Sequence, residues 1–136
     1  MILINKTPHA INIADADGQI VRVIEPTPPA ARVSITATTD QGDDTLDGVP
    51  FRETVFGAVE NLPPQKLCSQ CHGSRIARGT NGYPYECDCT DAVYYIVSAF
   101  VISALPRRTD LVRPDTGPTC VRDATGQIVA VRALTR

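Results

Sequence analysis

Two close cysteine pairs, Cys68-Ser-Gln-Cys71 and Cys87-Asp-Cys89, constrain this chain more than any other feature. They place four of its five cysteines within 22 residues. A close pair lets one tight turn aim two thiolates at a single tetrahedral ion, and a second turn closes the shell. The pattern predicts a structural zinc site on Cys68, Cys71, Cys87 and Cys89. A closed shell of thiolates leaves no position for a reactive water, so such a metal holds a segment together and does not catalyse. Two other arrangements also fit the spacing: His72 in place of one thiolate, and an iron–sulfur or redox pair. Gly73, Gly79, Gly82 and Pro84 suit the turns of a knuckle spanning residues 65–91.

The remaining composition narrows the class. A chain of 136 residues, 43% of them hydrophobic, is about one soluble domain. Three Phe, four Tyr and no Trp leave few stacking platforms for single-stranded nucleic acid. A net charge of -2 argues against general electrostatic binding to DNA. Eleven of the thirteen basic residues are Arg, the side chain suited to bidentate bonds with carboxylate or phosphate, although codon bias produces the same ratio. No run approaches the roughly 20 apolar residues of a membrane span. The first residues lack the basic and apolar regions of a secretory leader. An odd cysteine count with paired spacing suits a reducing compartment, so a cytoplasmic protein is expected.

Along the chain, residues 1–25 read as a β-hairpin turning at Asp15-Ala-Asp17-Gly18, ended by Glu25-Pro-Thr-Pro-Pro29. Ala31–Ala37 and Val49–Glu60 read as strands, and Thr38–Gly48, with four Asp and two Gly, as an exposed loop. Val93–Val97 suits a buried strand. Ser98 is an N-cap for a short helix over Ala99–Leu105, stopped by Pro106. Arg107–Gly117 is polar, and a second hairpin turns at Asp123-Ala-Thr-Gly126. The two turns share the pattern Gly-Gln-Ile-Val, which either common turn chemistry or a duplicated unit produces. The expected fold is α+β and β-rich. It is a small, mainly antiparallel sheet or open barrel, built from two hairpins plus further strands with one short helix. Residues 1–136 form one domain, and 65–91 project from it as the knuckle.

Leu67-Cys-Ser-Gln-Cys-His-Gly73 resembles the knuckles of zinc-ribbon and DnaJ-type cysteine-rich modules, although the second pair here is Cys-x-Cys where those modules prefer Cys-x-x-Cys. The rest of the chain resembles a family of small proteins encoded by tailed bacteriophages, prophages and their hosts. The resemblance rests on Asn5-Lys-Thr-Pro-His9, Ala31-Arg-Val33, Gly48-Val-Pro50, Phe56-Gly-Ala-Val-Glu-Asn-Leu-Pro63, Tyr95-Ile-Val-Ser98 and the run from Ala104 to Pro118. It covers nearly everything except residues 65–91, which implies that the zinc knuckle is an insertion. It implies no established activity.

The polar residues of these motifs are Thr7, His9, Arg32, Arg107, Arg108, Thr109, Asp110, Asp115, Thr116 and Arg122. Arg, Thr and His together suit a phosphate. The same residues also read as turn chemistry and a local ion pair beyond the helix. No P-loop or dinucleotide fingerprint is present, and no serine or cysteine stands in a nucleophile motif. A lone Cys120 reads as a small core residue. The expected function is therefore a non-enzymatic phage or prophage accessory protein. Its expected partner is a host protein or a phosphorylated small molecule. Three rivals follow from other features: a zinc-knuckle nucleic-acid binder using Lys66, Arg75 and Arg78; a nucleotide-acting enzyme with His9 and Asp110 or Asp115 as acid–base pair; and a virion or assembly protein.

Overall fold

The computed structural model describes residues 1–46, 49–72, 74 and 76–136, with the backbone alone described between 36 and 53. Asp47, Gly48, Gly73 and Arg75 lie outside the described residues. In chain order the strands are β1 (Ile2–Asn5), β2 (Ile11–Ala14), β3 (Ile20–Ile24), β4 (Arg32–Leu46), β5 (Val49–Glu60), β6 (Ile76–Arg78), β7 (Pro84–Glu86) and β8 (Val93–Ile96). The helix α1 (Ala99–Ala104) follows, then β9 (Leu111–Pro114), β10 (Val121–Arg122), β11 (Ile128–Ala130) and β12 (Leu134–Thr135). The fold is β-rich with one short helix, as expected. Among the described residues no sheet closes into a barrel.

The central sheet departs from the expected antiparallel arrangement. Its order is β1-β8-β9-β12, and both β1 and β9 run parallel to β8. Only β12 is antiparallel to its neighbour there. The hairpin turns that suggested antiparallel pairing do form, but as two-stranded ribbons packed around this sheet. β1 is not the first arm of a hairpin. The hairpin is β2–β3, and β1 pairs instead with a strand about ninety residues later. β8, α1 and β9 form a compact parallel crossover, the usual way to join parallel neighbours. A parallel strand in mid-sheet must be buried on both faces, and β8 has that character. Val93, Tyr95 and Val97 pack with Val101, Leu111 and the base of the β4–β5 ribbon. Ile96 points the other way, into Ile11, Ile24, Cys120 and Val131. Cys120 is thus the core residue its sequence context suggests.

The two outer hairpins are built by the same turn chemistry. Asp15 Oδ1 accepts from the Asp17 and Gln19 amides at 3.0 and 2.9 Å, and Asp123 Oδ1 accepts from Thr125 and Gln127 at 2.8 and 3.0 Å. Gly18 and Gly126 both sit at φ 85°, where a Cβ is unfavourable. Arg132 joins the first turn to the second half of the chain, donating to the carbonyls of Asp15, Ala16 and Thr119.

The acidic stretch from Thr38 onward is largely strand and not loop. β4 continues to Leu46, and the register with β5 shifts between Asp40 and Thr45. A two-stranded ribbon propagates by backbone pairing and needs no apolar alternation, so the sequence there carries no strand signal. The helix forms where its cap predicts. The Ser98 hydroxyl oxygen accepts from the Val101 amide, and Leu105 ends the helix one residue before Pro106. Replacing Ser98 by Ala is expected to cost about 1 kcal/mol, read as a lower urea midpoint with an unchanged slope. Among the described residues no helix is long and apolar enough to cross a membrane.

Candidate functional site

The four cysteines form one buried group. Their sulfurs all lie within 4.8 Å of one another. Cys68 and Cys87 are 3.6 Å apart, and Cys71 and Cys89 are 3.3 Å apart. Four thiolates at about 2.3 Å from a tetrahedral ion sit about 3.8 Å from each other, whereas a disulfide needs about 2.05 Å. The spacing therefore matches a shared ion and not a pair of bridges, and none of the four is in a disulfide. His72 is exposed and stands outside the group, so the set is four cysteines.

Local geometry explains how each pair reaches the centre. In the first turn the His72 amide donates to Cys68 O at 2.9 Å, and His72 takes a left-handed φ of 49°. Asp91 clamps this turn by accepting from the Ser69 amide and hydroxyl at 3.0 and 2.5 Å. Those bonds, with the Ser69 hydroxyl first and the Cys68 side chain next, hold the Asp91 carboxyl well below the usual carboxylate range. In the second pair Cys89 sits at φ 53°. That left-handed kink turns the chain sharply after one intervening residue, which is how Cys-x-Cys does the work of the longer spacing. The Cys89 thiol is pushed up to about 12, mainly by its contact with Cys71 and then by burial and Cys87. Such crowding of incipient negative charge is what a bound cation relieves. The chain enters and leaves the knuckle at one point, where the Val93 amide donates to Lys66 O at 3.4 Å.

A second candidate site lies at the carboxyl ends of the three parallel strands. The loop after β1 supplies Thr7 and His9, the β8–α1 junction supplies Val97, Ser98 and Ala99, and the end of β9 supplies Arg113, Pro114 and Thr116. With Ile11 they line a cavity of about 350 Å³. Its walls are mainly apolar, with a polar rim of hydroxyls, an imidazole and a guanidinium. Ligands of open sheets with parallel strands gather at these strand ends. Asn5 builds the first loop from within. It is fully buried, its Nδ2 donates to His9 O and Ile24 O, and its Oδ1 accepts from the Thr7 amide and hydroxyl. Lys6, also buried, donates to Thr27 O. Among the described residues the His9 imidazole and the partly buried Arg113 guanidinium have no hydrogen-bond or ion-pair partner.

The ten polar motif residues do not all converge here. Thr7, His9 and Thr116 do. Arg113 joins them although it was not among the predicted set; its signal was its place at the end of the short apolar pair Leu111-Val112, which makes it a strand-end residue. Arg32 lines an adjoining cavity of about 460 Å³ with Pro8, Ile35, Ser98 and Phe100. Arg108 and Asp110 are bound to each other in a bidentate ion pair. Asp110 is therefore committed elsewhere than to His9. Arg107 is exposed beyond α1. Thr109 accepts from Gln65, Asp115 caps the Gly117 amide, and Arg122 donates to Gly126 O within its own hairpin.

The knuckle is a poor electrostatic match for nucleic acid. Residues 65–91 carry Lys66, Arg75 and Arg78 against Glu86, Asp88 and Asp91. Four thiolates on a divalent ion add a formal charge of about −2. Arg78 spends one donor on Gly82 O within the hairpin tip.

No protein-family model matches the chain, no curated protein matches its sequence, and no solved structure matches its fold.

Proposed function

We propose that this is a non-enzymatic binding protein that holds a small phosphorylated molecule at the ends of its parallel strands. On this reading the four-cysteine knuckle is folded by structural zinc, which supplies no chemistry to the ligand. One observation carries the reading. Three separate motif stretches, Asn5–His9, Tyr95–Ser98 and Leu111–Gly117, end at one cavity, and its Arg113 guanidinium lacks a counter-charge among the described residues. A partly buried guanidinium without acceptors loses hydration and regains nothing until an anion arrives. Phosphate suits it, because the fork of an arginine accommodates two phosphate oxygens and the Ser98 and Thr116 hydroxyls add donors. The resemblance to phage and prophage proteins supports a role in a host cell, with sequestration of such a molecule as the proposed means of modulating a host process.

The test is isothermal titration with ribose 5-phosphate. Binding is expected, weakened at least tenfold in Arg113→Ala and unchanged in Arg107→Ala, whose side chain lies outside the cavity. No binding, or equal loss in both variants, contradicts the reading.

A further inference from the structure

We infer that the ligand is a nucleotide, with its phosphate at Arg113 and His9 and its base lying against Phe100 in the adjoining groove; this rests on the binding reading above. The two cavities are neighbours. Ser98 lines both, and the Thr7-Pro8-His9 loop divides them, with Thr7 and His9 facing one and Pro8 the other. A phosphate group alone occupies a small part of the first cavity. The second, about 460 Å³, is large enough for a base and is lined mainly by apolar side chains. Phe100, on the first turn of α1, is 60% exposed, an unusual cost for a phenylalanine in a chain with only three. Ile35, 56% exposed, and Val33 line the same groove from β4, with Ala30 and Ala31 just before the strand. Phe56 meets Phe100 with ring centroids 6.3 Å apart and planes tilted by 52°, which fixes the ring while leaving it open to solvent. Bases stack on such rings irrespective of sequence. Arg32 and Glu60 stand on the same wall, one a fork of donors and the other an acceptor, as the polar edge of a base requires. Across the strand register they are opposite one another, yet among the described residues they form no ion pair, so both edges are available.

The experiment titrates the zinc-loaded full chain with adenosine 5′-monophosphate and, separately, with ribose 5-phosphate. The nucleotide is expected to bind at least tenfold tighter. Phe100→Ala is expected to abolish that advantage while leaving ribose 5-phosphate affinity unchanged, and Phe100→Tyr is expected to preserve it. Equal affinity for the two ligands, or an advantage that survives Phe100→Ala, overturns the nucleotide inference and leaves the phosphate reading standing. Failure of both ligands to bind removes the phosphate reading itself and the inference with it.

Discussion

Arg108→Ala is expected to destabilise the protein by about 3–5 kcal/mol, the range found when one partner of a buried ion pair is removed. The guanidinium Nε and one terminal nitrogen meet the two Asp110 oxygens at 2.8 and 2.6 Å. The other terminal nitrogen donates to Pro63 O at 2.9 Å. The guanidinium also stands 5.8 Å from the centre of the Tyr95 ring. One side chain thus ties together the segment before the knuckle, the central strand β8 and the entry to β9. Asp110 is only 3% exposed, so truncating Arg108 strands a carboxylate away from water. Native stability is commonly about 5–15 kcal/mol, so this one change removes a large fraction of it. Arg107→Ala, one residue earlier on an exposed side chain, is expected to stay within about 0.5 kcal/mol. Urea unfolding of the two variants makes the comparison. A loss below about 1 kcal/mol for Arg108→Ala would place the pair among solvent-screened surface bridges.

On the proposed zinc reading, removing the metal is expected to unfold the knuckle and spare the central sheet. The knuckle has its own small core, made of the four cysteines with Ala77 and Ala92 and covered by Tyr94. Two alanines bury too little apolar surface to order the 27 residues from 65 to 91 against their conformational entropy. Zinc binding to such sites is worth about 10–16 kcal/mol in isolated finger peptides, and on the zinc reading that energy is folding energy here. The other two core clusters contain none of the four ligands. After chelation, amide exchange is expected to accelerate across residues 67–91. Protection in β1, β8 and β9 is expected to persist. Cys68→Ser should reproduce the effect, and Cys120→Ser should leave the metal content at one ion per chain. Global loss of protection would mean that the knuckle is integral to the domain and not an insertion into it.

Local signals in the sequence were reliable guides to local structure. The Ser98 cap, the apolar run of β8 and the Asp-Gly turns each work within a few residues, so their chemistry can be read without knowing the fold. The parallel core could not be read that way. β9 shows only Leu111 and Val112 as apolar residues in a polar stretch, and its partner choice depends on burial beside β8. The β4–β5 ribbon extends through Asp and Gly because backbone pairing carries it. For the cysteine cluster, the spacing of the four residues was sufficient. For the cavity, residue type alone grouped too much together. By residue type Arg108 and Asp110 fit both a ligand set and a local ion pair, and at the entry to β9 they satisfy each other. Arg113 carries no signal in its residue type, because its significance lies in where its strand ends.

The most direct test of the binding reading is native mass spectrometry of the full chain purified from cells, alongside Arg113→Ala. The account predicts one zinc ion plus a phosphorylated small molecule on the parent chain, and zinc alone on the variant. A parent chain carrying zinc alone, or a ligand retained by Arg113→Ala, would contradict it.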